Sequence, residues 1–178
     1  GDGVSDDTAA IQKAIDAVSA AGGGIVDIPA GNYRINTLYQ TGKSYEKAGL
    51  VLKSNIIVRI DDSAVLEAIP NGERSYQMFS ITHVDNVHII GGTLIGDRDH
   101  HTSSIGETGY GVRITDASNV VIENLHADEF WGDGLFLGED SKNITIYNVV
   151  CDHNRRQGMS IVGGQNVKIL NSKFNHSD

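Results

Sequence analysis

The sequence is poor in residues that cross-link or stiffen a chain, with one cysteine and two prolines in 178 residues. The single cysteine, Cys151, excludes a disulfide within the chain. Basic residues are also scarce, with 14 lysines and arginines against 23 aspartates and glutamates and a formal net charge of −9. Nucleic acid and anionic membranes require a basic surface, so neither is expected as a partner. No apolar run is long enough to span a bilayer.

The sequence does contain a pattern that recurs about every two dozen residues. Each repeat has an asparagine followed by β-branched residues, a second asparagine five places on, and later a glycine before an apolar trio. The first anchor is Asn119, Asn143 and Asn166, the second is Asn124, Asn148 and Asn171, and the third is Gly111, Gly134 and Gly158. Short segments at this period indicate a solenoid, in which each turn buries its apolar face against its neighbours.

The apolar residues in each repeat alternate as they do in strands, with three short strands to a turn. No Leu-x-x-Leu-x-Leu frame recurs, which disfavours a leucine-rich repeat. The pattern therefore predicts an all-β, single-stranded parallel β-helix. Its inward columns are predicted to be Val87, Val120, Ile144 and Val167, then Ile89, Ile122, Ile146 and Ile169, then Leu94, Ala127, Cys151 and Phe174. The asparagines at 124, 148 and 171 are placed in the tight turn between the first two strands.

The first part of the chain predicts an amphipathic helix that covers the open end of the solenoid. A cluster of capping residues, Ser5 to Thr8, precedes an apolar face at Ile11, Ala14, Ile15 and Val18. Gly22 to Gly24 would end this helix. An uncovered end would expose apolar edges and invite association, so a capping helix is expected there.

Two segments, Gly1–Gln12 and Gly22–Tyr33, resemble the opening of the pectate-lyase-3 type of right-handed parallel β-helix proteins. That group includes polygalacturonase-like hydrolases, polysaccharide lyases, mannuronan epimerases and phage tailspikes. The resemblance implies a right-handed helix and a glycan ligand, and it leaves the reaction open because function depends on sites built on the fold.

The chain is expected to form one domain, residues 1–178. It opens inside the family's opening segment and stops partway round a turn. It is therefore expected to be a fragment that lacks further C-terminal turns. The resemblance implies a secreted, extracellular or virion-associated protein, which would be trimeric if it is tailspike-like.

Polar residues concentrate at the turn between the second and third strands. Glu129, His153 and His176 are predicted to stack in one column beside Asp128, Asp152 and Asn175, with Trp131 over Arg155 and Asp133 over Gln157. An insertion, Gly96–Glu107, falls on the same edge. Side chains one and two turns apart would lie about 5 and 10 Å apart, which brackets the carboxyl separations of glycosidases.

We therefore consider a candidate site along this edge. The catalytic candidates are Asp97, Asp99, Asp133, Asp152 and His153, and the substrate-binding candidates are His100, His101, Trp131, Arg155, Arg156 and His176. Trp131 offers a stacking platform, and the arginines offer forks for a uronate carboxylate. Structural alternatives are that the aspartates only cap turns, the histidines stack as neutral rings, and Trp131 closes the edge. His100 and His101 with Asp97 and Asp99 could bind a metal, but ligands that follow one another in a loop are weak support for such a site. No metal or cofactor is therefore expected.

Comparison with individual members of the group disfavours two known catalytic routes, the standard inverting hydrolase and the epimerase. Trp131-Gly132-Asp133-Gly134 resembles the Asn-Thr-Asp-Gly segment of polygalacturonase-like hydrolases, but Arg156 and Gln157 stand where those enzymes have an aspartate pair. In mannuronan epimerases, the Asp and His of a Tyr-Gly-Phe-Asp-Pro-His segment align here with Phe136 and Gly138.

Three functions follow as hypotheses. The first is a polysaccharide-cleaving enzyme, either a glycoside hydrolase or a polysaccharide lyase that binds the glycan along one edge. The second is a glycan-binding adhesin or tailspike module without catalysis. The third is a polyuronate epimerase with displaced catalytic residues.

Overall fold

The chain folds into three parallel sheets that wind around a common apolar core. The structure, a computed structural model, describes residues 1–40 and 47–177, so residues 41–46 and 178 of the expected domain lie outside it. Sheet 1 contains β2 (Gly24–Ile28), β5 (Ile56–Ile60), β8 (Asp85–Ile90), β11 (Ser118–Glu123), β14 (Lys142–Tyr147) and β17 (Gln165–Leu170). Sheet 2 contains β1 (Asp2–Asp6), β3 (Asn32–Ile35), β6 (Val65–Ala68), β9 (Thr93–Ile95), β12 (His126–Asp128), β15 (Val150–Asp152) and β18 (Lys173–Phe174). Sheet 3 contains β4 (Ala48–Val51), β7 (Ser75–Thr82), β10 (Thr108–Thr115), β13 (Asp133–Leu137) and β16 (Gln157–Ile161).

The predicted register is confirmed by the strand pairing. Val120 pairs with Val87 and Ile144, Ile122 pairs with Ile89 and Ile146, and Ala127 pairs with Leu94 and Cys151. Most of these residues are fully buried, as the alternation required. Ile169, in the last strand of sheet 1, is 38% exposed because no further strand among the described residues covers it. Cys151 is buried, and burial raises the pKa of its thiol, as expected for a core residue.

Asparagine ladders stabilise the turns at both ends of sheet 1. Asn148 donates its side-chain amide to Asn124 at 2.7 Å, and Asn171 donates to Asn148 at 3.2 Å. All three have positive φ, which asparagine tolerates better than most residues. This ladder confirms the predicted column. A second ladder, which was not predicted, joins Asn119, Asn143 and Asn166 at 3.0 and 2.7 Å.

The predicted capping helix is present as α1, Thr8–Ala20. It buries Ile11 and Ile15 against the first turn of the solenoid. Gln12 accepts a hydrogen bond from the backbone N–H of Val51 at 2.8 Å and donates one to the Val51 carbonyl at 3.1 Å. The side-chain amide thereby takes the place of a neighbouring strand at the edge of β4, so the helix satisfies that edge as well as covering the core.

The first residues differ from the prediction. Ser5 and Asp6 were assigned to a helix cap, but they lie in β1, which pairs in parallel with β3. The cap is a single residue, Asp7, and Asp6 accepts hydrogen bonds from the backbone and hydroxyl of Thr8 at 3.0 and 2.6 Å. Sheet 2 therefore has one additional strand, β1, which precedes the first full turn of the solenoid.

The predicted insertion, Gly96–Glu107, connects β9 to β10. It holds a short 3-10 helix, Arg98–His100. Among the described residues, no helix has the length and apolar character needed to cross a membrane.

Candidate functional site

The turn from sheet 2 to sheet 3 forms the edge where the sequence placed its candidate residues. Glu129, His153 and His176 each follow a sheet 2 strand and adopt positive φ values of 59°, 51° and 41°. The rings of His153 and His176 stack with centroids 4.9 Å apart. The predicted column is therefore present, and we call the row from Asp128 to His176 the sheet 2–3 edge. Both imidazoles are largely exposed.

Asp128 and Asp152 occupy equivalent positions in neighbouring turns of this edge. They pair in the strand register, and Asp128 Oδ1 accepts a hydrogen bond from the backbone N–H of Asp152 at 2.9 Å. Both residues are partly exposed. One turn of the solenoid, about 5 Å, separates their backbones.

Their surroundings shift the two carboxyl groups in opposite directions. Burial is the largest influence on Asp128 and raises its pKa, although the hydrogen bond from Asp152 partly opposes it. Partial burial also acts on Asp152, but contacts with His176 and the backbone of His153 outweigh it, so the pKa of Asp152 is lowered. Asp128 thus keeps its proton to higher pH than Asp152. Two neighbouring carboxyls with separated pKa values are what acid and nucleophile roles require.

Two histidines converge on Asp152. Nδ1 of His176 lies 2.7 Å from Asp152 Oδ1, and Nδ1 of His153 lies 3.4 Å from the same oxygen. The ligand atoms of these three residues all lie within 4.8 Å of one another. The candidates Asp152, His153 and His176 are therefore brought together and remain reachable by solvent.

The insertion loop, 96–107, is fastened to the solenoid through Asp97. Its carboxylate accepts hydrogen bonds from the Tyr76 hydroxyl and from the backbone and side-chain amides of Asn71 at 3.1 and 3.0 Å. Nδ1 of His101 lies 2.9 Å from the same carboxylate. The side chains of Asp97 and His101 are fully buried. Neither can contact a glycan in this conformation, so the structure gives them an anchoring role.

The indole of Trp131 has a partner on each face. His101 stacks on it at 4.1 Å between centroids, and the Arg155 guanidinium lies 3.8 Å from its centroid. Its Nε1 donates to the Gly106 carbonyl at 3.1 Å, and Arg155 donates to the same carbonyl at 3.0 Å. The predicted stacking of Arg155 on Trp131 is confirmed. The expectation of a sugar platform is wrong for this conformation because both ring faces are covered.

Six residues fasten the insertion loop to the solenoid through these contacts. We call them the loop clasp: Asn71, Tyr76, Asp97, His101, Trp131 and Arg155.

Asp133 begins β13 and is buried. Its carboxylate has no hydrogen-bond partner among the described residues, although the Ser160 hydroxyl and the backbone N–H of Gln157 lie near it. Burial is the main cause that raises the pKa of Asp133. Arg156 covers it, with Nε 3.8 Å from Oδ1. Asp133 pairs with Gln157 as predicted, but its burial prevents direct contact with a glycan.

A further neighbour of Asp133 is an aromatic residue in the adjacent strand β10. Tyr110 lies beside Asp133, and its pKa is raised by burial and then by the Asp133 charge. Tyr110 was not among the predicted site residues. The only signal for it in the sequence is its place between two glycines in the third strand of its turn.

The remaining candidates are at the surface. Asp99 is 73% exposed and lies 3.7 Å from Arg98, and His100 is also exposed. Arg98 donates to the backbone carbonyl of His153 at 2.6 Å, which brings the 3-10 helix against the sheet 2–3 edge. Arg156 is partly exposed and lies near Glu107.

Known proteins of similar sequence occur in Bacillus subtilis and Azotobacter vinelandii. The uncharacterized protein YclG of Bacillus subtilis (strain 168) is 29% identical over 91% of this chain and 31% of its own length. The mannuronan C5-epimerase AlgE4 of Azotobacter vinelandii is 34% identical over 89% of this chain and 30% of its own length. The chain spans about a third or less of the length of these relatives.

Solved structures share the same architecture. The AlgE4 A-module superimposes with a TM-score of 0.65 and 23% identity over 94% of this chain and 56% of the module. An iota-carrageenase in complex with iota-carrageenan fragments gives 0.70 and 21% over 95% of this chain and 38% of the enzyme. The tailspike of E. coli bacteriophage HK620 gives 0.73 and 19% over 96% and 31%. At these identities the likeness shows the fold.

The family model described as the right-handed beta helix region matches residues 36–178, which is most of the chain. The match covers every strand from β4 to β18 and agrees with the three parallel sheets. The chain therefore belongs to the right-handed β-helix family.

Proposed function

We propose that this protein cleaves a polysaccharide by hydrolysis at the sheet 2–3 edge, with Asp128 as the general acid and Asp152 as the nucleophile. The observation that carries the proposal is the pair itself. Two partly exposed carboxyls lie one turn apart, and their pKa values are shifted in opposite directions. Asp97 and Asp133 receive no chemical role because both are buried.

The spacing favours retention of configuration. Retaining glycosidases place their two carboxyl groups about 5 to 5.5 Å apart, which matches one turn of the solenoid. Asp152 would attack the anomeric carbon while protonated Asp128 donates its proton to the departing glycosidic oxygen. Asp128, now ionised, would then take a proton from a water that attacks the anomeric carbon, and this step releases Asp152.

The glycan would lie along the solenoid axis. Successive sugars are about as long as one turn, so they would meet successive residues of the same column. Glu129, His153 and His176 then line the path, and the exposed part of the insertion loop, Asp99 and His100, borders it. Trp131 and Arg155 would act indirectly, since they hold the loop in place.

The comparisons support a glycan as the ligand. AlgE4 is a mannuronan epimerase, and the carrageenase was solved with carrageenan fragments. We extend this ligand class to the present chain as part of the proposal. We also propose an extracellular or virion-associated location, since that is where such polymers are met.

The test is a screen on neutral and uronate polysaccharides that follows both new reducing ends and the absorbance of unsaturated products. The wild type is compared with Asp152→Asn and with Asp140→Asn. Asp140 is an exposed turn residue with φ 56° away from the edge, which makes it the matched control.

The proposal predicts new reducing ends without absorbance, lost in Asp152→Asn and kept in Asp140→Asn. Reducing ends together with absorbance would replace hydrolase by lyase. A change in sugar configuration without new ends would indicate an epimerase. Binding without any reaction would leave a glycan-binding module.

A further inference from the structure

We propose that Asp152, His153 and His176 form a binding site for a divalent transition metal ion, with Zn²⁺ as the expected ion. The site lies on the sheet 2–3 edge and joins side chains from two successive turns. It goes beyond the proposed cleavage, because metal binding can be measured without any substrate.

The ligand atoms are already close to a chelating arrangement. Nδ1 of His176 and Nδ1 of His153 lie 2.7 and 3.4 Å from one oxygen of Asp152, and all three ligand atoms fall within 4.8 Å of one another. A tetrahedral Zn²⁺ with bonds of about 2.1 Å holds its ligand atoms about 3.4 Å apart. The widest pair therefore has to close by no more than about 1.4 Å.

The side chains are free to make that adjustment. The rings now stack nearly parallel, with an interplanar angle of 16°, so each must tilt to direct its Nδ1 lone pair at a shared ion. His153 and His176 are 60% and 68% exposed, so side-chain rotation meets little packing. Both residues occupy the same position in successive turns of the solenoid and share a left-handed backbone, so their imidazoles lie one turn apart.

The donor set selects the ion. Two imidazole nitrogens and one carboxylate oxygen suit Zn²⁺, Co²⁺, Ni²⁺ or Cu²⁺, whereas Ca²⁺ and Mg²⁺ require mainly oxygen ligands. Glu129 precedes His153 in the same column and is exposed, and Asp128 lies one turn from Asp152. Arg98 donates a hydrogen bond to the His153 carbonyl, and Asp99 lies 3.7 Å from its guanidinium.

Metal binding would also affect the proposed reaction. A bound ion would occupy the Asp152 carboxylate, so it should inhibit cleavage if Asp152 is the nucleophile. This consequence rests on the proposed function, whereas the metal site does not.

The experiment measures Zn²⁺ binding to the whole chain by calorimetry, and Cu²⁺ binding by electron paramagnetic resonance, which counts coordinated nitrogens. The variants are His153→Asn and His176→Asn, because asparagine tolerates their left-handed backbone. The matched control is His83→Asn. His83 is another exposed turn histidine, with φ 55°, and it lies 3.3 Å from Asp116.

The proposal predicts one Zn²⁺ per chain, at least tenfold weaker binding in either variant, and unchanged binding in His83→Asn. The copper spectrum should show two nitrogens, reduced to one in each variant. Absence of one-to-one binding, or variants that bind as the wild type does, would overturn the site. Binding without inhibition of cleavage would keep the metal site and instead remove Asp152 from the reaction.

Discussion

The backbone N–H of Asp152 donates to the carboxylate of Asp128 at 2.9 Å, one turn earlier in the solenoid. The two residues have the same place in the repeat. Burial raises the pKa of Asp128, whereas at Asp152 the effect of burial is outweighed by contacts with His176 and His153, which lower the pKa. The repeat thus creates two chemically different carboxyl groups from one position.

Inward and outward faces of sheet 1 should differ in their tolerance of truncation. Ile122 and Ile146 are fully buried, so Ile122→Ala and Ile146→Ala should each lower the free energy of unfolding by about 2 to 5 kcal/mol. Val121, which precedes Ile122 in the same strand and is partly exposed, should lose less than about 1 kcal/mol as Val121→Ala. Urea denaturation measures the free energy of unfolding of the three variants. Equal losses at positions 121 and 122 would contradict the assignment of faces.

The asparagine ladder should contribute measurably to stability. Asn148→Ala removes a donor to Asn124 and an acceptor for Asn171, and it places alanine at φ 53°. We expect a loss of about 1 to 3 kcal/mol. Asn148→Gly removes the same hydrogen bonds but relieves the backbone strain, so it should cost less. If alanine and glycine are equivalent in denaturation experiments, the left-handed backbone carries no penalty here and this part of the account fails.

The loop clasp should control access of protease to the insertion. Trp131→Ala removes the ring between His101 and Arg155, so the loop should loosen and trypsin should cleave after Arg98. Trp131→Phe keeps a ring but loses the hydrogen bond to Gly106, so it should be intermediate. The readout is the rate of tryptic cleavage under native conditions. Wild-type rates in Trp131→Ala would show that the stack does not hold the loop.

Asp133 should oppose folding at neutral pH. Burial raises the pKa of Asp133, so the folded state binds the proton more tightly than the unfolded state does. The contribution of Asp133 to the free energy of unfolding is therefore least favourable at high pH, where the residue is ionised. It becomes more favourable as the pH falls from the folded-state pKa toward the ordinary pKa of an aspartate, because the folded state takes up the proton first. Asp133→Asn removes the buried charge and should be at least as stable at neutral pH, with a weaker pH dependence.

Urea denaturation across acidic to neutral pH measures the Asp133 effect, with Asp140→Asn as the control at an exposed turn. A clear loss of stability in Asp133→Asn at neutral pH would mean that the Asp133 and Arg156 pair stabilises the fold. Burial of the Asp133 charge would then not be its dominant effect on stability.

The sequence was sufficient to predict the solenoid because its signals are local and repeated. Alternation placed Ile122 and Ile146 inward, and the recurring asparagine at position 124 marked a turn. The same spacing aligned Trp131 with Arg155 and Asp128 with Asp152. Columns of a solenoid follow directly from the repeat, so residues that share a column could be paired before the structure was known.

The environment of the candidate residues could not be predicted in the same way. Asp97 and His101 lie in an insertion whose conformation depends on contacts with Asn71 and Tyr76, which belong to another turn. Asp133 was placed correctly in register, but the repeat did not show that it is buried or that Arg156 lies beside it. Such contacts join insertions and outer faces, where no repeat constrains the chain.

The most direct measurement is the pH dependence of kcat/KM for the wild type and Asp128→Asn on the polysaccharide found by screening, with chelator present to exclude metal. Cleavage requires Asp152 ionised and Asp128 protonated. The wild-type rate should therefore rise with pH through the lowered pKa of Asp152 and fall through the raised pKa of Asp128. Asp128→Asn should lower kcat/KM by about 10²-fold or more and remove the alkaline decline. A variant with wild-type turnover and an unchanged profile would contradict the assignment of the sheet 2–3 edge as the catalytic site.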